Sequence, residues 1–214
     1  MATLSRRMLV TTLALIAPVL AHAADPAPTP RTLPTAVAET RATLRDLWSG
    51  HVFWVRNVVE ARLAGDADRA KVAEQQVVAN AHAIAGAIEP FYGKAASDQL
   101  FTLLAGHYGA VSEYLDATRQ HQPAAQQSAV AHLTENAGQI ATFLHSANPK
   151  NWPVDTLRGL LNAHGAHHVQ QINELAAHQY AQEAQTWGAM THHMNMIADA
   201  LADGLTAQFP DRFR

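Results

Sequence analysis

Three segments of this 214-residue chain are versions of one another, and that repeat constrains the fold more than any local motif. Leu47-Trp48-Ser49-Gly50-His51 aligns with Leu103-Leu104-Ala105-Gly106-His107 and with Leu160-Leu161-Asn162-Ala163-His164. A second block follows each: Asn80-Ala81-His82-Ala83-Ile84-Ala85, Asn136-Ala137-Gly138-Gln139-Ile140-Ala141 and His193-Met194-Asn195-Met196-Ile197-Ala198. The steps from 51 to 80, from 107 to 136 and from 164 to 193 are each 29 positions, and the copies are offset by 56 and then 57.

The periodicity is helical. Val37, Leu44, Trp48, Val55, Val58 and Arg62 trace one stripe at steps of three and four, with His51 on it. Six helices are expected, over 35–64, 67–92, 96–119, 123–146, 154–177 and 181–208, with breaks at Gly65-Asp66, Gly93, His121-Gln122-Pro123 and Asn148-Pro149. Ala-rich composition and scarce β-branched runs argue against strands. The fold class is therefore all-α: a six-helix bundle of three repeated antiparallel hairpins with pseudo-threefold symmetry.

The repeat also locates a polar layer. The midpoints of the three paired blocks, 65.5, 121.5 and 178.5, fall on the expected turns. Residues equidistant from a turn sit at one height in a hairpin, here about 20 Å from it at about 1.5 Å per residue. His51, His107, His164, His193, Asn80 and Asn136 should thus share a layer inside an apolar stripe, where polar side chains are costly unless bonded. Two accounts compete. In one, each histidine bonds its hairpin asparagine and the layer fixes helix register. In the other, His51, His107, His164 and His193 hold a transition-metal ion (zinc, copper or iron), with Asn80 and Asn136 as outer partners. A small-molecule or haem pocket is a further option.

The other candidates carry less. His132 and His168 lie four positions from Asn136 and His164 and could extend the layer by a turn, though ordinary hydrogen-bonded roles are the simpler reading. His121, His145 and His178 fall at turns or helix ends, and His82, His167 and His192 are expected to face outward. Met190, Met194 and Met196 near His193 suit copper(I) or plain core filling. Arg56, on the His51 stripe beside Trp48 and Trp54, could bind an anionic ligand or a carboxylate such as Glu113 or Asp199. No Glu-x-x-His, His-Glu-x-x-His or Cys-x-x-Cys-His motif is present, which counts against di-iron, zinc-protease and covalent-haem chemistry.

Composition narrows the partners. Hydrophobic residues make up 48% and charged residues 15%, and net charge is −3 with no dense basic run, so nucleic acid is not expected. Residues 1–23 have the form of a cleavable signal peptide: Arg6-Arg7, an apolar run from Met8 to Leu20, then Ala21 and Ala23. Ser5-Arg6-Arg7-Met8-Leu9-Val10 also resembles a twin-arginine signal. Four prolines between Ala24 and Pro34 read as a linker, leaving one domain over 35–210. A periplasmic or secreted protein is expected, without a membrane span and, lacking Cys, without disulfides. Its Ala-rich surface would suit a homodimer.

Leu47-Trp48-x-x-His51-Val52-x-Trp54-x-Arg56, Pro90-Phe91-Tyr92-Gly93, Leu103-Leu104-x-x-His107, Asn148-Pro149 and Gln208-Phe209-Pro210 resemble the recurring blocks of an uncharacterised family of bacterial helical proteins. The resemblance implies the same six helices and the same six layer positions, but no activity. Gly188 and Thr191 stand where members of that family often carry Asp and His. Taken together, the chain reads as an exported helical bundle with a metal-binding His/Asn layer. The alternatives are a structural or ligand-sensing module, or a metal-dependent enzyme with an open metal position beside a pocket.

Overall fold

The computed structural model describes residues 35–214 and is all-helical. The signal peptide expected over 1–23 and the linker expected over 24–34 lie outside the described residues. Six long helices pack together: α1 (Thr35–Leu63), α2 (Ala67–Gly86), α4 (Lys94–Arg119), α5 (Pro123–Ala147), α6 (Val154–Ala176) and α7 (Tyr180–Gln208). A single turn, α3 (Glu89–Tyr92), precedes α4, and a 3-10 turn (Pro210–Phe213) follows α7. The helix expected over 67–92 is thus broken. Pro90 has no N–H to donate and its ring would meet the carbonyl of Gly86, so α2 ends at Gly86 and Pro90 starts the next turn.

Local signals in the sequence mark other junctions. Asp66 caps α2 by accepting from the Arg69 backbone N–H at 3.0 Å. Pro123 opens α5, where a missing N–H costs nothing. Gly65, His121 and His178 each adopt a left-handed conformation, with φ of 74°, 54° and 56°. Each closes its helix with two backbone bonds: Gly65 to Arg62 and Asp66 to Ala61, His121 to Thr118 and Gln122 to Ala117, His178 to Leu175 and Gln179 to Glu174.

Neighbouring helices close a ring in the order α1, α2, α4, α5, α6, α7 and back to α1, while α6 also touches α1 and α4 across the middle. The core is divided lengthwise. One apolar cluster gathers Leu44, Trp48, Leu104, Leu161, Met194 and Trp152 with others; the second gathers Val55, Val58, Val111, Leu115, Ile172 and Leu175. At the far end Trp152 is sealed in by donating Nε1–H to the Ala200 carbonyl at 3.1 Å, and Gly204 is needed beneath it because a Cβ there would lie 1.9 Å from that nitrogen. Among the described residues no helix is long and apolar enough to cross a membrane.

Candidate metal centre

The boundary between the two apolar clusters is where α1, α4 and α6 place their histidines. His51 lies between Trp48 and Val55, His107 between Leu104 and Val111, and His164 and His168 between Leu161 and Ile172. All four are buried, His164 and His168 at 1% exposure each. One ring nitrogen from each lies within 4.8 Å of all the others, a group of the kind that can hold a metal ion. The rings of His164 and His168 are closest, with their Nε2 atoms 3.1 Å apart.

Three of the four residues expected as ligands are therefore brought together, and the fourth place is taken by His168. A pair four apart on one helix projects from the same face, and this spacing was the visible signal for it. His193 is elsewhere. Its Nε2–H donates to the Leu160 carbonyl at 2.8 Å, and its ring packs against His167. Asn80 and Asn136 make the matching bond, donating Nδ2–H to the carbonyls of Leu47 and Leu103 at 3.0 Å each. Each of these three side chains reaches the carbonyl one turn before the histidine of the partner helix. Through these bonds they clamp helix to helix.

The clamps leave little room. A Cβ on Gly50 would lie 3.0 Å from Asn80 Nδ2, and one on Gly106 would lie 3.1 Å from Asn136 Nδ2, which accounts for the glycine before each of those histidines.

Arg56 does not reach Glu113 or Asp199 and is not free for an anionic ligand. Its Nε and Nη2 donate to the two carboxylate oxygens of Glu183 at 2.7 and 2.9 Å, while Nη1 pairs with Glu60 at 2.7 Å. Glu183 is 3% exposed and accepts a further bond from Gln171 Nε2 at 2.8 Å. Trp187 stacks its ring 5.5 Å from the guanidinium. The Arg56 hydrogen bond holds the Glu183 carboxyl below its usual range against the opposing effect of burial. Asp199 instead pairs with Arg45, and Glu113 with His132 on the surface.

Burial keeps the four imidazoles neutral. Desolvation, with the neighbouring His107, pushes His51 down to about 3. Desolvation also takes His107 to about 4, with Asn136 beside it opposing the shift. His164 and His168 are driven well below the usual histidine range, chiefly by burial and secondly by their histidine neighbours. Neutral imidazole is the form that donates a lone pair to a metal.

Several of these nitrogens have no partner within the protein. His51 Nε2, both nitrogens of His107 and His164 Nδ1 are buried without a hydrogen bond. Unmade bonds of this kind cost about 1–3 kcal/mol each. An apolar cleft of about 70 Å³ between α2 and α4, lined by Val77, Val78, Phe101 and Tyr108, ends against His51. Comparison with protein-family models, with curated proteins and with solved structures finds no match to this chain.

Proposed function

We propose that this chain is an exported helical-bundle protein that binds one transition-metal ion through His51, His107, His164 and His168. One observation carries the reading: four buried, neutral imidazoles from three helices converge with unpaired nitrogens at the boundary of an otherwise apolar core. A layer kept only for packing would be expected to satisfy its own hydrogen bonds, and His51 Nε2 and His164 Nδ1, buried without a partner, do not. Asn80, Asn136 and His193 support the site from outside by clamping the carbonyls of Leu47, Leu103 and Leu160.

Three repeated hairpins, α1–α2, α4–α5 and α6–α7, would each supply one central histidine and one clamp, with His168 added in the third. In support, every clamp spans the same 33 residues, and Gly65, His121 and His178 close equivalent turns with equivalent bonds. The leader over 1–23 would deliver the protein to the periplasm or beyond, and the blocks shared with the uncharacterised bacterial family would mark the same architecture.

Elemental analysis of untagged protein, prepared from the full chain, tests the reading. Near one metal ion per chain is expected, lost in the His51→Ala/His107→Ala/His164→Ala variant. A metal-free native protein that also fails to take up added copper, zinc or iron would overturn it. N-terminal sequencing of the same exported material is expected to begin at Ala24.

A further inference from the structure

The four-histidine group differs from most buried metal sites in its charge. Moving an ion from water into a low-dielectric interior costs free energy that rises with the square of its charge, so a dry site for a divalent ion needs anionic donors. Structural zinc sites commonly use thiolates, and catalytic ones use a carboxylate or a bound hydroxide. None is provided here. The donor set is four neutral imidazoles, and the chain has no cysteine.

The surroundings do not make up the deficit. One turn to either side of the histidines lie Trp48 and Val55, Leu104 and Val111, and Leu161, Gln171 and Ile172. The two buried carboxylates are spoken for or turned away. Glu183 is neutralised by Arg56. Glu174 follows His168 by six residues, about 9 Å along the axis, and lines the outer groove between α5 and α6. Four protein donors would also fill a four-coordinate shell, leaving no place for a charge-balancing hydroxide.

From this charge balance we infer that the site selects the singly charged, soft cation copper(I) over divalent ions, an inference that rests on the metal-binding reading above. Copper(I) has a filled d shell and accepts the imperfect spread of these donors, up to 4.8 Å between ligand atoms, without demanding a square plane. Its oxidation to copper(II) would double the charge held in the apolar core, so the protein stabilises the reduced ion. Met190 and Met194, both fully buried in the cluster that contains Trp48 and Leu104, give that core a polarizable lining.

The test is a pair of competition titrations on the metal-free full-length protein: copper(I), anaerobic and under reductant, against bicinchoninate, and zinc(II) against a chromophoric chelator. One copper(I) per chain is expected, at least about 100-fold tighter than zinc(II). The His51→Ala/His168→Ala variant should lose stoichiometric copper(I). Because that variant removes two core side chains, X-ray absorption of the copper-loaded native protein supplies an independent readout, expected to give a copper(I) edge with nitrogen scatterers. Zinc(II) bound as tightly as copper(I), or a copper(II) edge under reductant, overturns the choice of copper(I) and leaves the metal site standing. Stoichiometric binding of neither ion overturns both.

Discussion

His164 and His168 hold their Nε2 atoms 3.1 Å apart, one turn from each other on α6. Both rings are neutral, so one nitrogen donates and the other accepts, and this single bond is the only one linking two members of the four-histidine group. A bound ion would be held by these two imidazoles in place of that bond.

That pair separates ligands from clamps. His168→Ala should weaken metal binding at least about 100-fold, since one of four donors is lost. His193→Asn should leave affinity within about threefold, because Asn80 and Asn136 already clamp the carbonyls of Leu47 and Leu103 in the same way. Competition titration of both variants, with circular dichroism to check folding, decides the matter. Equal losses in the two would return His193 to the ligand set.

The metal-free protein should be acid-sensitive. The folded-state values of His51 and His107 lie near 3 and 4, below the ordinary 6.5, so the unfolded chain binds protons that the native one refuses. Stability is then full above about pH 6.5 and falls as pH drops towards 4, by up to about 1.4 kcal/mol per pH unit for each such histidine. Urea midpoints measured at about pH 7, 6 and 5 should decline steadily, and replacing His107 by Phe should shallow the slope. A flat profile over that range would mean that the histidines take up protons in the folded protein.

Much of this was legible in the chain. The even sequence spacing, converted to helix rise, pointed to His51, His107 and His164 as one layer, and the structure gathers those three with His168. His193 was misplaced for a reason visible in the alignment itself: it occupies the asparagine column, whose side chains bridge to a backbone carbonyl rather than to the layer. His168 was legible only as an i+4 neighbour, and burial of that turn of α6 depends on contacts with α1 and α4 that spacing does not encode. The Arg56 partner was out of reach for the same reason. Glu183 is 127 residues away and meets Arg56 only because α7 closes the ring against α1.

Arg56 and Glu183 are expected to be worth more broken than whole. Arg56→Met leaves a 3% exposed carboxylate with Gln171 as its remaining partner, at a cost of about 2–4 kcal/mol. Glu183→Gln should cost less, because Arg56 retains Glu60 and contact with water. The double variant Arg56→Met/Glu183→Met should recover most of the loss, since a volume-matched apolar pair removes both desolvation penalties. Chemical denaturation of all three completes the cycle. A double variant as unstable as the sum of the singles would show that the pair is not an isolated unit.

The hairpin turns offer a gain. Gly65, His121 and His178 share the left-handed conformation that ends their helices, yet only the first is glycine. A side chain there pays about 1 kcal/mol of steric strain that glycine avoids. His121→Gly should therefore raise stability by up to about 1 kcal/mol, or about 2–4 °C in Tm for a domain of this size. His178→Gly should gain less, because the His178 ring shares a 2.8 Å hydrogen bond with the Tyr180 hydroxyl. Gly65→Ala should lose about as much as His121→Gly gains, since it creates the strain that the second change relieves. Thermal melts of the three variants at neutral pH, without metal, provide the comparison. A destabilised His121→Gly would mean that its side chain contributes more to the turn than its backbone strain costs.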